Sequence, residues 1–407
     1  MTQNTSSAPG LVQLVGVPYF VVAFVARLPF AMMVVGVLTM VVTARGSLSL
    51  GGLASAAVGA GTALVGPFLG AAADRYGQRP VLIVSAVLNA AMLAAFAGVV
   101  YSPLGEAVVL LYGFAIGATA PQVSPMSRSR LVTVIDDRML PTQRARTTSA
   151  TMSYESAADE TVFVFGPFLV GILASFIAPW APIVLASLLT LIFVGAFALH
   201  PTGRHVSASR GADGAAPSAV SELFRLRLLI VVVGIFGVGL LFGATLTALT
   251  AFMAERDAAE QAGLLYGVMG IGSAILALGV AWLPPRFTLA ARWLVFGSVL
   301  LIGSVMVATA SSVGMMILAL AIMGIGVGPT LVTQYSLGAA RSPLGRSATV
   351  MTMLGSGVVV GQALASAVTG ELGESVGTSA ALLMPLAAAA IVFASGLANR
   401  LMTPIQR

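Results

Sequence analysis

Three carboxylates fall within Tyr154-Glu155-Ser156-Ala157-Ala158-Asp159-Glu160, in a chain of 407 residues that carries 14 acids in all. Apolar and small residues surround them over 149–176, so the acids lie inside a stretch fit to cross a bilayer. An ionisable side chain within a span costs at least about 2.5–3.5 kcal/mol and by default faces the protein interior or a pathway. Glu155 and Asp159, four apart, share a helix face, while Glu160 is turned away by about 100°. Counted from Ser149, Asp159 and Glu160 lie about 15 Å deep, near the bilayer midplane. Carboxylates buried side by side resist joint ionisation, so a proton can come and go near neutral pH. That is the chemistry a proton-coupled transporter needs. A later helix start would leave Glu155 at the cytoplasmic surface.

Arg27 is the natural counter-ion. It stands ten residues into the apolar run 17–42, too deep to reach water easily, with no acid beside it in sequence. Only a carboxylate from another helix can neutralise it, so a pair with Asp159 or Glu160 is expected. A static structural ion pair is the alternative. Beyond the acids, Gly166-Pro167-Phe168-Leu169-Val170-Gly171 should bend and pack tightly, since proline removes a helical hydrogen bond and glycine admits close neighbours. Later in the chain the polar side chains within apolar runs are uncharged: Thr245, Thr247, Thr250, Tyr266, Gln334, Tyr335 and Gln362. Tyr266, Gln334 and Gln362 are candidate cavity groups. The two glutamines serve a substrate or glue helices together, the latter worth about 1 kcal/mol.

The elements that must position these residues are apolar helices. Hydrophobic residues make up 58% of the chain and charged ones 8%, against about 25% charge in soluble domains. Twelve apolar runs fall at 17–42, 50–73, 80–100, 106–126, 149–176, 179–199, 223–252, 262–283, 290–310, 313–337, 347–370 and 376–399. Each meets the requirement of roughly 20 residues for a spanning helix, and none shows the alternation of a membrane β-strand.

The formal charge of +6 comes from arginine alone, with no lysine. If the N-terminus is cytoplasmic, Arg45 and Arg256 fall outside and Arg27 within the first helix. The other seventeen of the 20 arginines, Arg128, Arg130 and Arg292 among them, then fall in cytoplasmic loops. This is a positive-inside bias, which puts both termini in the cytoplasm and explains the basicity without nucleic acid. Lysine replaced by arginine amid alanine and glycine suggests a GC-rich bacterial source, and hence the bacterial inner membrane.

The one long polar interruption, 201–222, divides the chain into 1–200 and 223–407, with six runs on each side. Ser149-Ala150-Thr151 and Ser347-Ala348-Thr349 occupy equivalent places in the two parts, a faint internal echo. Met1–Gly10 has no positive charge and reads as a short disordered tail rather than a secretory signal. His200 and His205 flank the linker, away from the buried acids, and read as solvated. There is no cysteine for a thiolate or disulfide, and no phosphate-loop lysine for driving transport with ATP. No catalysis, cofactor or metal is implied.

Between the second and third runs the chain reads Gly70-Ala-Ala-Ala-Asp74-Arg75-Tyr76-Gly77-Gln78-Arg79-Pro80. The spacing G-x-x-x-D-R-x-G-x-R closely resembles the signature loop between helices 2 and 3 of the major facilitator superfamily of secondary transporters. The resemblance implies twelve helices in two pseudo-symmetric six-helix bundles, with Gly70, Asp74, Arg75, Gly77 and Arg79 forming a cytoplasmic gate. By itself an aspartate at this place can accept bonds from the N-terminus of a neighbouring helix. Gln78 departs from the family, which usually has a basic residue there. The equivalent hairpin near Gly279 and Arg286 has lost its acid.

Gly166, Pro167 and Gly171 resemble the helix 5 motif of the drug/proton antiporter branch, although Leu111–Gly117 lacks the arginine that proton-coupled members carry on helix 4. The expectation is a monomeric, proton-coupled exporter of small amphiphilic molecules. An uptake symporter for a sugar or organic acid, and a membrane scaffold or sensor, are the alternatives.

Overall fold

A computed structural model describes residues 10–204, 218–258, 261–284 and 286–402. The rest of the N-terminal tail and most of the linker, with His205, Arg210 and Asp213, lie outside the described residues.

Twelve helices are long and apolar enough to span a membrane, and no strand occurs among the described residues. They are α1 (Val17–Arg45), α2 (Leu50–Tyr76), α3 (Gln78–Tyr101), α4 (Glu106–Arg138), α5 (Pro141–Phe176), α6 (Ala181–Leu199), α7 (Leu226–Ala254), α8 (Leu265–Trp282), α9 (Leu289–Ala308), α10 (Val313–Arg341), α11 (Ser347–Ser375) and α12 (Thr378–Leu401). The number and order of the apolar runs hold.

Two bounds differ by eight residues or more, and both matter for the site. Helix α4 does not end near residue 126. It breaks at Ala120–Gln122, around Pro121, and resumes over Val123–Arg138. Arg128 and Arg130 therefore sit buried inside a helix rather than in a cytoplasmic loop, and Arg292 of α9 is buried too. Helix α5 begins at Pro141, eight residues before Ser149. Asp159 thus lies at the middle of a 36-residue helix about 54 Å long.

Helix α1 is interrupted at Ala26 and Arg27. Pro29 has no N–H to give the Val25 carbonyl, so the helix restarts at Leu28.

Three apolar cores fill the molecule among the described residues, and two of them cross between its parts, the first taking in Val132, Met152 and Ala157 and the third Ala348. One is built around Val238, Trp293, Leu300, Met323 and Val392 of α7–α12. Two others lie mainly among α1–α6, around Met40, Phe96 and Ile116 and around Tyr19, Leu82 and Phe197. Arginine clasps repeat between the parts. Arg45 donates to the Val100 and Ser102 carbonyls at the end of α3 at 2.6 and 2.7 Å, and Arg256 donates to the Ser311 carbonyl after α9 at 3.2 Å. Arg130 ties α4 to the Phe197 carbonyl of α6 at 2.9 Å, and Arg341 ties α10 to Asn399 of α12 at 2.5 Å. Each clasp satisfies an oxygen at a helix end.

Candidate functional site

The break in α1 aims Arg27 at the middle of α5. Arg27 pairs with Glu155 through Nη2 and with Asp159 Oδ1 through Nε at 3.2 Å. The second half of α4 adds the remaining partners. Ser127 donates to Glu155 Oε1 at 2.9 Å, and the Tyr19 hydroxyl lies 2.9 Å from the same serine. Ser124 and Arg128 Nη2 meet Asp159 Oδ2 at 2.6 and 2.7 Å. Every oxygen of Glu155 and Asp159 is thus engaged, and two guanidinium groups balance two carboxylates. Glu155 is fully buried, not at a surface. Burying such ions costs several kcal/mol each, so removing one member leaves an uncompensated charge.

Sequence reasoning missed Arg128, which it counted as a loop residue. Its guanidinium carbon lies 3.9 Å from the centre of the Tyr335 ring on α10, so the ion cluster of the first part touches the second. Ser124, Ser127 and Arg128 at spacings of three and four were the available signal, one face of a continuing helix.

Glu160 does not join this cluster. Its turn away from Asp159 points it to α8, where Ser273 donates to Oε1 at 2.7 Å. Oε2 has no partner. An Arg27–Glu160 pair is therefore not what forms. Tyr266 stands seven residues before Ser273 on α8, hence on the same face. Gln362 is exposed, seven residues beyond Gly355, whose face of α11 packs on Pro125 of α4. Gln362 thus projects from the side of α11 turned toward the first part. Gln334 lies deeper. It is fully buried, close enough to Gly234 of α7 that an added Cβ there would stand 2.9 Å from its amide nitrogen. Neither its amide nitrogen nor its amide oxygen has a hydrogen-bond partner among the described residues.

At one end of the molecule Asp74 caps α11. Oδ1 accepts from the Ala348 amide at 3.0 Å, and Oδ2 from the Thr349 amide and hydroxyl at 2.7 and 2.5 Å. A carboxylate on a helix N-terminus answers both unsatisfied N–H groups and the helix dipole. Gly70 lets the helices approach, because a Cβ there would stand 2.8 Å from the Ala348 carbonyl and run into the Thr352 hydroxyl. Gly77 turns the chain at φ 89°, a conformation that favours glycine. Arg75 and Arg79 are exposed.

Gln78 is fully buried, accepting from Arg130 Nε at 3.1 Å and donating to the Met126 carbonyl at 3.2 Å. A basic residue at 78 would confront Arg130. On the other side of the seam Arg292 lies 3.4 Å from the Ser149 hydroxyl. The two Ser-Ala-Thr segments are thus both touched by a charged residue from the opposite part. Farther along α5, Gly166 packs so closely on α1 that an added Cβ would stand 2.6 Å from Ala31 Cβ, while Gly171 faces open space. The Pro167 side chain lies outside the described residues. No group of three acids or histidines able to hold a metal occurs among the described residues.

A family profile described as Major Facilitator Superfamily matches residues 19–366. No curated protein matches the sequence. Solved structures share the fold at low identity. The human organic anion transporter MFSD10 is 18% identical with a TM-score of 0.70, over 94% of this chain and 97% of that one. A bacterial homologue of the iron transporter ferroportin, in an outward-facing state, is 17% identical with a TM-score of 0.75, over 94% and 98%. The fucose:proton symporter FucP of E. coli is 17% identical with a TM-score of 0.66, over 94% and 98%.

Proposed function

The chain belongs to the major facilitator superfamily of membrane transporters, and from that premise we propose that it is a proton-coupled exporter of small amphiphilic molecules in a bacterial inner membrane. The observation that carries this reading is the contrast between the acids of α5. Glu155 and Asp159 are held by Arg27 and Arg128. Glu160 has only the Ser273 hydroxyl as a partner among the described residues. A buried carboxylate without a cation is costly when charged, so Glu160 is the acid free to exchange a proton. It does so on the seam between residues 1–200 and 223–407, which we take as two bundles joined by a linker at 201–222. Proton load at Glu160 then bears on whether α5 and α8 stay together, and rocking of the bundles exposes the site to each side in turn. Arg27 and Arg128 hold the remaining acids in place.

Asp74 on α11 is the gate of the cytoplasmic side in this scheme, with both termini on that side and the monomer as the working unit. Tyr266, Tyr335 and Gln362 face the substrate. Few hydrogen-bonding groups stand in the second half-cavity, and all are uncharged, which suits an amphiphile better than a sugar. Reconstituted protein given an imposed pH gradient should drive movement of amphiphilic fluorescent dyes against their own gradient. Dye movement that ignores the pH gradient sinks the proton role.

A further inference from the structure

The end of the molecule that carries Asp74 holds another buried cation, Arg130, for which the transport scheme has no use. Its side chain is fully buried. It donates to Gln78 at 3.1 Å, to the Phe197 carbonyl at 2.9 Å and to Thr202 Oγ1 at 3.4 Å, and lies 4.1 Å from the centre of the Phe197 ring. All these partners are neutral. Nη2 has no acceptor among the described residues. A guanidinium does not shed its proton, so this is a full charge buried without a counter-charge among the described residues, a costly arrangement. Arg27 and Arg128, in contrast, share two carboxylates.

Beside Arg130 is a cavity of about 310 Å³, lined by Leu14, Val15, Val134, Arg138, His200 and Thr202. Ligand pockets run from about 300 to 1,000 Å³, so this one suits a phosphate-sized group with a short apolar stem and not a drug-sized molecule. Its polar wall is ordered. The Thr202 amide donates to His200 Nδ1 at 3.4 Å, and the Thr202 hydroxyl lies 2.9 Å from the same nitrogen. With Nδ1 accepting, the ring proton sits on Nε2. Burial, and then the nearby charge of Arg130, hold His200 below the usual imidazole range. It is therefore a neutral donor at physiological pH.

We propose that this cavity is an anion site for a phosphate-type group, either a lipid headgroup or free phosphate. His200 Nε2–H, Thr202 and Arg138 stand at its wall, and Arg130 behind Thr202 supplies the counter-charge. The site is separate from the acids of α5 and does not depend on proton coupling.

The test uses the purified full chain in zwitterionic phosphatidylcholine nanodiscs. One arm titrates inorganic phosphate, and the other replaces part of the lipid with phosphatidylglycerol, both read as a shift in Tm. A rise with phosphate assigns the free anion, and a rise with phosphatidylglycerol alone assigns the headgroup. Arg130→Gln should weaken the response about tenfold, because it removes the counter-charge behind Thr202 while leaving the residues at the wall in place. His200→Gln, at the wall, should weaken it too if Arg130→Gln fails to fold. The proposal is overturned if neither arm raises Tm, or if the variants lower Tm uniformly and leave the ligand-induced shift intact. A response that appears only in Asp213→Asn gives the site to the linker's own acid and also overturns it.

Discussion

Glu160 and Ser273 meet across the seam between the two parts of the molecule, hydroxyl to carboxylate at 2.7 Å. One residue earlier, Asp159 is clamped by two arginines. Neighbouring acids thus have opposite surroundings, because a step of one residue turns a side chain by about 100° around the helix. The proposed division of labour, structural for Glu155 and Asp159 and proton-exchanging for Glu160, rests on this difference.

Ser273→Ala removes the one hydrogen-bond partner of Glu160. Bonds to charged groups contribute about 1.5–3 kcal/mol, so the pH midpoint of transport should move by about one to two units. Initial rates of dye transport across a pH series measure it. An unmoved midpoint would show that another group sets the pH dependence.

Arg128→Met should destabilise the fold by about 3–5 kcal/mol, because it leaves Asp159 short of charge in a buried site. Asp159→Asn in the same chain should recover part of that loss. Thermal unfolding of the two single variants and the double variant closes the cycle, and strict additivity contradicts the cluster.

Asp74→Asn keeps the shape of the cap on α11 and removes its charge. The loss of about 1–2 kcal/mol should shift the gate toward the open form by about tenfold. The chain has no cysteine, so spin labels on Tyr76→Cys and Leu344→Cys, both exposed, report the opening directly. Longer distances are expected in Asp74→Asn, and an unchanged distribution would deny it a gating role.

Gln78→Arg restores the basic residue usual in the resembling loop, yet here it should destabilise the protein by several kcal/mol. The added charge would face Arg130, which now donates to the Gln78 amide oxygen. A Tm equal to that of the parent chain would show that the two cations find separate solvent.

The fold was legible because its signal is simple. Twelve apolar runs stand out in a chain with so few charges, and Arg27 and Asp159 announce themselves by their cost in lipid. Arg128 and Arg130 were hidden by the same rule. Polar residues at 124–130 end the apolar run and look like a basic loop, whereas the helix continues and buries them against Asp159, Tyr335 and Phe197. Nor did the sequence show that the Gln334 amide would be buried against Gly234 of α7 with no hydrogen-bond partner among the described residues.

The central claim is tested most directly by proton-driven dye flux in proteoliposomes carrying the parent chain, Glu160→Gln or Asp159→Asn, with dye binding measured alongside. The account predicts that Glu160→Gln binds dye and exchanges it down its gradient but no longer responds to an imposed pH gradient. Asp159→Asn should lose stability while keeping some coupled flux. Full pH-driven accumulation by Glu160→Gln would contradict it.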